Sequence, residues 1–301
     1  MIFKVLGAGS ATPVLGRYPS AFALTLENET FLIDCGEGTQ WRMLEYGVKH
    51  SKINQIFISH LHGDHFLGLV GLISTLNSLG RKQELTVFAP IGLKEILSVQ
   101  FKYQGTRLEY GLIINELDAN TIIRIAENKK IEIFAFPLVH RIETYGFLFK
   151  EKPKERNLIR GKLPENILLL HIHTLKNGLD VIDENGNIIY KADEFTLPLE
   201  KGKSFAYCSD TAYSETLLPF IADVDLLYHE TTFLEEKEQR ATETYHSTAM
   251  QAATIAQKAN VKQMVIGHFS SRYKDVEPFL SESTSIFPNI TLAYGGLEIH
   301  F

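Results

Sequence analysis

The stretch His60-Leu61-His62-Gly63-Asp64-His65 constrains this chain more than any other. Four of its six side chains bind metals readily, and the pattern His-x-His-x-Asp-His crowds them into a single turn. Residues 55–59 before it read as a short buried strand. After it, Leu67, Leu69, Val70, Leu72, Ile73 and Leu76 have the spacing of one helix face. The cluster therefore falls on a strand-to-helix loop, where side chains converge without having to fill a core. Imidazoles suit zinc, manganese or iron, and Asp64 adds an oxygen donor for a second ion.

Such a loop needs partners from elsewhere in the chain. The downstream candidates share a habit, each following an apolar, strand-like run: His140 after 134–139, Asp210 after 205–209, His229 after 224–228 and His268 after 264–267. Loops at one edge of a sheet sandwich bring such residues together. Strand-like runs also stand at 2–6, 21–26, 30–33, 85–89, 111–117, 121–125, 131–136, 144–149, 290–293 and 297–300. Helical patterns fall at 91–101, 247–259 and 276–283, and in the second of these Ala249, Ala252, Ala253, Ala256 and Ala259 form a small-residue face suited to lying on a sheet. Strands and helices in two successive sets predict an α/β chain of two packed sheets with helices outside.

With 301 residues, 45% of them hydrophobic and 22% charged, the chain has the length for one large domain or two modest ones. A formal net charge of −6 excludes coating nucleic acid through a global positive field, but not a local basic patch. Two cysteines, Cys35 and Cys208, are too few for a disulfide framework and are expected to be reduced. The N-terminus runs straight into a strand without a signal-peptide pattern, and no apolar run approaches the roughly 18 residues of a membrane span. A cytoplasmic protein is the expectation.

Three local stretches carry further information. Gly7-Ala8-Gly9-Ser10-Ala11-Thr12-Pro13 is a poor dinucleotide-binding loop, because Thr12 replaces the third glycine and Pro13 stops the following helix. Asp34, at a strand end before Cys35-Gly36-Glu37-Gly38-Thr39-Gln40, either caps the next helix or accepts the free N–H of a metal-binding histidine. Residues 150–199 break the strand and helix rhythm and read as an inserted arm. Lys150, Lys152, Lys154, Arg156, Arg160 and Lys162 there outnumber Glu151 and Glu155. Within the arm, 167–172 reads as a strand and 183–187 as a hairpin turn.

His60, His62, Asp64, His65, His140, Asp210 and His268 together resemble the metallo-β-lactamase superfamily. The flanking elements are more particular. Leu6-Gly7-Ala8-Gly9-Ser10-Ala11-Thr12-Pro13, the Asp34 loop, His229-Glu230-Thr231-Thr232-Phe233, His246-Ser247-Thr248 and His268-Phe269-Ser270-Ser271-Arg272-Tyr273 look like ribonuclease Z, the tRNA 3′-processing endonuclease family. The likeness runs over nearly the whole chain in the right order. It implies a single domain, 1–301, folded as a four-layer αβ/βα sandwich with the 150–199 arm inserted in it, and two Zn2+ ions per chain. One ion would be held by His60, His62 and His140 and the other by Asp64, His65 and His268, with Asp210 bridging. It also implies a homodimer acting on precursor tRNA.

The same resemblance makes Asp64 a proton acceptor and His246 a proton donor held in place by Glu230. Ser247, Thr248 and Arg272 would bind phosphate, the alternative being a helix-capping Ser and a surface Arg. The arm, with Lys152, Lys154 and Arg156, would grip the tRNA away from the cut, the alternative being a solvated charged loop without a partner. His229 is expected to be structural. The arm departs from the bacterial pattern in having Leu163-Pro164-Glu165-Asn166 where a Gly/Pro-rich tip belongs. Another hydrolase on the same scaffold, or an RNA-binding relative without catalysis, is the alternative. A small-ester hydrolase has no use for a charged arm, and an idle site has no reason to retain seven costly ligands.

Overall fold

Period-two alternation along the strands separates large aromatic side chains from aliphatic ones, and this separation decides which faces meet. The computed structural model describes residues 1–199 and 201–301. These divide into two compact units. The first comprises Met1–Ala126, Ile133–Phe149 and Ser204–Phe301, and the second Glu127–Glu132 with Lys150–Lys203.

One seven-stranded sheet runs, in spatial order, Glu298–His300, Ile2–Gly7, Ala21–Leu26, Glu29–Ile33, Ile53–Phe57, Leu85–Pro90 and Leu112–Leu117. The other runs Ile290–Leu292, Gln263–Gly267, Leu226–Glu230, Ser204–Cys208, Tyr145–Glu151, Ile131–Pro137 and Ile123–Glu127. Their inner faces meet through aromatic rings: Phe3 on Phe205 at 4.8 Å between centroids, Phe22 on Tyr228 at 4.5 Å, and Phe57 on Phe147 at 5.4 Å. Phe57 also stacks on its strand neighbour Phe88 and meets Phe149 edge-on.

The alternate residues face outward and lie under helices. Ile56, Ile58 and Val87 pack with Leu69, Leu72, Ile73 and Leu76 of helix Leu69–Ser78 and with Leu93 and Leu97 of helix Leu93–Gln104. On the far side Ala206, Leu227, Met264 and Ile266 pack with Ala249, Ala253 and Ala256 of helix Ala249–Lys258. The expected small-residue face is the one that lies on the sheet. The first unit is thus a four-layer αβ/βα sandwich. Leu67 is a correction: it is 61% exposed, because the helix face begins at Leu69. Burial pushes the Cys35 thiol up to about 12 and raises Cys208 as well, so both free cysteines are inert core residues.

Within the second unit, a small core of Leu175, Val181 and Ala192 is closed by Leu163, Ile167, Tyr190 and Phe195. The hairpin turn at 183–187 joins Val181–Ile182 to Ile188–Tyr190, with Asp183 Oδ1 accepting from the backbone N–H groups of Asn185 and Asn187. The expected strand at 167–172 instead enters and forms the first turn of helix Leu169–Lys176. A run of apolar residues that short cannot distinguish the two by periodicity. The basic excess is largely paired inside the unit. Lys152 meets Glu127 at 3.3 Å, Lys154 meets Glu151 at 3.4 Å, Lys176 meets Glu155 at 2.5 Å and Arg156 meets Asp193. Arg160 and Lys162 are exposed. Leu168, Leu169 and Leu170 are 59%, 84% and 71% exposed. Among the described residues no helix is long and apolar enough to cross a membrane.

The aromatic layer generates a direct expectation. Phe57→Ala removes a fully buried ring that touches both sheets, and should cost about 3–5 kcal/mol in denaturant unfolding. A loss below about 1 kcal/mol would show that the layer is not close-packed.

Candidate metal centre

Parallel strands end together, and in this sandwich their ends carry the polar residues. Glu29–Ile33 pairs in parallel with Ile53–Phe57 in one sheet, and Ser204–Cys208, Leu226–Glu230 and Gln263–Gly267 run parallel in the other. Asp34, the His60 loop, Asp210, Glu230 and His268 all sit at or just beyond the C-terminal ends of these strands. The 60–65 stretch is not wholly a loop. Gly63–Phe66 forms a short helix that carries Asp64 and His65. It lies tightly on the Asp34 loop: a Cβ on Gly36 would stand 2.4 Å from the Asp64 carbonyl oxygen, so only glycine fits there.

Two donor groups form, His60, His62, His140 and Asp210 on one side and Asp64, His65 and His268 on the other, and a third set of Asp210, His246 and His268 overlaps them. Within each set the ligand atoms lie within 4.8 Å of one another. In the first, His62 Nδ1 stands 3.0 Å from His60 Nε2 and 3.3 Å from His140 Nε2. Asp210 lies between the groups. Its Oδ2 is 3.6 Å from His60 Nε2 and 3.9 Å from His140 Nε2, and its Oδ1 is 3.4 Å from His65 Nε2 and 3.3 Å from His268 Nε2. None of His50, His171, His173 or His300 joins a metal-capable group among the described residues.

The outer nitrogens explain why the inner ones face inward. His60 Nδ1–H donates to Ser59 Oγ at 3.0 Å, and His65 Nδ1–H to Asp34 Oδ2 at 2.7 Å. His140 Nδ1–H donates to the Tyr245 carbonyl at 2.8 Å, and His268 Nδ1–H to Thr232 Oγ1 at 2.9 Å. Four rings are thereby fixed as Nε2 donors. Asp34 orients a histidine and does not cap a helix, since Gly38 is the N-cap of Thr39–Glu45. Its carboxylate also accepts from Ser59 N, Ser59 Oγ and the Tyr207 hydroxyl, at 2.7, 2.9 and 2.5 Å. Asp34 and His268 both have left-handed backbones, with φ of 53° and 63°. Such strain persists where surrounding bonds over-determine the geometry, as they do here.

Electrostatics follow the same arrangement. Burial alone would raise Asp64, but the imidazoles of His65 and His268 reverse it and hold the carboxyl well below its usual range. Burial lowers His60, and neighbouring imidazoles add to that. The atoms His65 Nε2 and Asp210 Oδ1 are buried without a hydrogen-bond partner among the described residues. Uncompensated polar atoms are costly, and facing donor atoms about 3.0–3.9 Å apart match the edges of a tetrahedron built on bonds of about 2.0–2.1 Å. The residues fit a divalent metal.

Beside the two groups stands a third feature. His246 Nδ1–H donates to Glu230 Oε1 at 3.0 Å, and burial, which lowers its pKa, is outweighed by the Glu230 carboxylate, which raises it to about 9. Glu230 is fully buried and also accepts from the N–H groups of Thr211, Thr232 and Ser247. Thr232 joins everything: its hydroxyl donates to Glu230 Oε2 at 2.7 Å and accepts from His268. His229 is buried, its Nδ1–H held by the Glu230 carbonyl, and serves the structure as expected.

Two expectations need correcting. Ser247 and Thr248 are fully buried and have no face to offer phosphate. Ser247 Oγ donates to the Thr211 carbonyl at 2.8 Å. Thr248 caps helix Ala249–Lys258 in a capping box with Gln251 and donates to Glu235 Oε2. Arg272, in contrast, lines the cleft of about 500 Å3 that holds Asp64, His246 and His268, as do Arg141 and Arg240. Ser59 and Thr232 were not singled out from sequence. Their signal was position alone: each is a hydroxyl adjoining a motif residue at a strand end.

Known proteins resemble this chain at both levels. A family model described as Anti-Pycsar protein Apyc1 matches residues 1–158, and a beta-lactamase superfamily domain matches 192–269. A ribonuclease Z from Cytophaga hutchinsonii is 51% identical over 98% of this chain and 95% of its own. Another from Bacteroides fragilis is 41% identical over 98% and 97%. The crystal structure of the short form of human tRNase Z superposes with a TM-score of 0.74 at 26% identity, covering 100% of this chain and 99% of that one.

Because Asp34 fixes the tautomer of His65, Asp34→Asn should weaken metal binding about 10–100-fold in a chelator competition titration. Circular dichroism of the folded chain should be unchanged. Undiminished metal affinity would remove Asp34 from the centre.

Proposed function

The chain belongs to the ribonuclease Z family, and on that premise we propose that it removes the 3′ trailer from precursor tRNA as a zinc-dependent endoribonuclease. Cleavage would leave a 3′-hydroxyl on the tRNA and a 5′-phosphate on the trailer. The Apyc1 model ends at residue 158, whereas the likeness to ribonuclease Z spans 98% of the chain, so the latter decides the family. The observation that carries the chemistry is the Glu230–His246 pair beside two donor groups with Asp210 between them.

His60, His62 and His140 would hold one zinc and Asp64, His65 and His268 the other, with Asp210 contributing an oxygen to each. When bound, the two ions would offset charge on the phosphoryl oxygens and make water a competent nucleophile near neutral pH. Asp64 would take the proton from the attacking water as its oxygen bonds to phosphorus. The P–O3′ bond breaks, and the departing ribose oxygen is a poor leaving group unless protonated. His246 Nδ1 is tied to Glu230, which leaves Nε2 to give that proton. Arg272 would contact phosphate in the cleft. A homodimer and a cytoplasmic location complete the proposal.

The test is to incubate the purified protein with zinc and end-labelled precursor tRNA and map the cut. His246→Ala should lose about 10²–10⁴-fold on this substrate, and far less on bis(p-nitrophenyl) phosphate, whose leaving group needs no proton. Equal losses on both would remove His246 as the donor.

The arm is assigned to tRNA held away from the cut. Because Lys152, Lys154 and Arg156 are each ion-paired, Arg160 and Lys162 become the better phosphate contacts, although such exposed pairs are weak and easily exchanged. Deleting 153–166 should raise KM for precursor tRNA sharply and spare the small diester. Loss on both alike would mean that the arm supports folding and is no exosite.

A further inference from the structure

The cleft is acidic at its floor and basic at its rim. Asp64 and Asp210 lie inside, while Arg141, Arg240 and Arg272 line the mouth, in a chain whose net charge is −6. Four arginines of the first unit are visibly engaged. Arg17 donates to the Tyr273 and Lys274 carbonyls, Arg42 meets Glu45, Arg81 holds Asn54 and Arg240 meets Glu243. Arg141 is exposed, and its guanidinium makes no hydrogen bond or ion pair among the described residues.

Its backbone, by contrast, is firmly placed. The loop from 138 to 144 is closed by Leu138 N–H donating to the Thr144 carbonyl. It is tied to the next strand end by Val139 N–H on Thr211 Oγ1 and Ala212 N–H on the Val139 carbonyl, at 3.1 and 2.8 Å. The adjacent His140 is locked by Tyr245. A free, bidentate phosphate fork thus stands on a rigid loop one residue from a donor of the first group, while Arg272 follows His268 of the second.

Resting on the assignment of the cleft to RNA cleavage, we propose that Arg141 holds the phosphate next to the scissile one, on the side of the His60–His62–His140 group. The residue is a specificity determinant: it selects a polynucleotide over an isolated diester by requiring a second charge at a set distance from the first.

The experiment uses the full-length zinc-loaded protein and short trailer-bearing RNAs, each carrying one neutral methylphosphonate linkage at a different position near the cut. In the wild-type chain, neutralising one neighbouring linkage should raise KM about tenfold. Arg141→Ala should raise KM about as much on the fully charged RNA, lower the slope of log(kcat/KM) against log[salt] by about one, and make neutralisation of that same linkage nearly silent. Arg141→Lys should recover the salt slope but only part of KM, since it keeps the charge and loses the fork. Two results overturn the proposal: a KM for Arg141→Ala within twofold of wild type, or a loss that stays additive with every linkage. Additivity would mark an indirect effect through His140, and the zinc content of the variant would fall with it. If the wild-type chain cuts none of these RNAs, the broader assignment fails together with this one.

Discussion

Burying carboxylates at one edge of a sandwich is the constraint from which the rest of this site follows. Asp34 and Glu230 are fully buried and Asp210 is nearly so, and an unpaired charge there would cost far more than packing returns. Each is therefore surrounded by donors drawn from several loops. Asp34 collects Ser59, His65 and Tyr207, and Glu230 collects Thr211, Thr232, His246 and Ser247. Satisfying the charges is what brings the loops into register. Asp210 is the exception, since among the described residues Oδ1 finds no hydrogen bond, and a cation is the partner its position calls for.

The sandwich makes this assembly possible by a division between its faces. Aromatic rings, Tyr207 and Tyr228 among them, fill the space between the sheets, and aliphatic and alanine faces sit under helices, so neither layer takes a charged group. Polar residues are left to the strand ends. Because the parallel strands of both sheets end at the same edge, residues as far apart in sequence as Asp34 and His268 become neighbours of one cluster.

That logic explains what could be read from the chain alone. The 60–65 stretch was legible because metal ligation demands particular residue types at close spacing, and the downstream ligands because each closes an apolar run. Ser247 and Thr248 were misjudged because a hydroxyl at a helix start caps a backbone as readily as it binds phosphate, and only burial separates the two. The basic excess of the arm was visible, but its pairing with Glu127, Glu151 and Asp193 is a tertiary matter with no local signal. Thr232 stood within a recognised element, yet its importance lies in which three groups it touches.

Thr232 has a single hydroxyl proton, given to Glu230, so toward the nearby rings of His268 and His246 its oxygen can only accept. One rotor thereby sets the polarity of two imidazoles, one on the metal side and one on the proton-donating side. The two functions are wired in series. A change that turned this rotor toward either histidine would invert that histidine's bond and take the proton away from Glu230, so the hydroxyl at 232, the carboxylate at 230 and the ring it faces can drift only as a set.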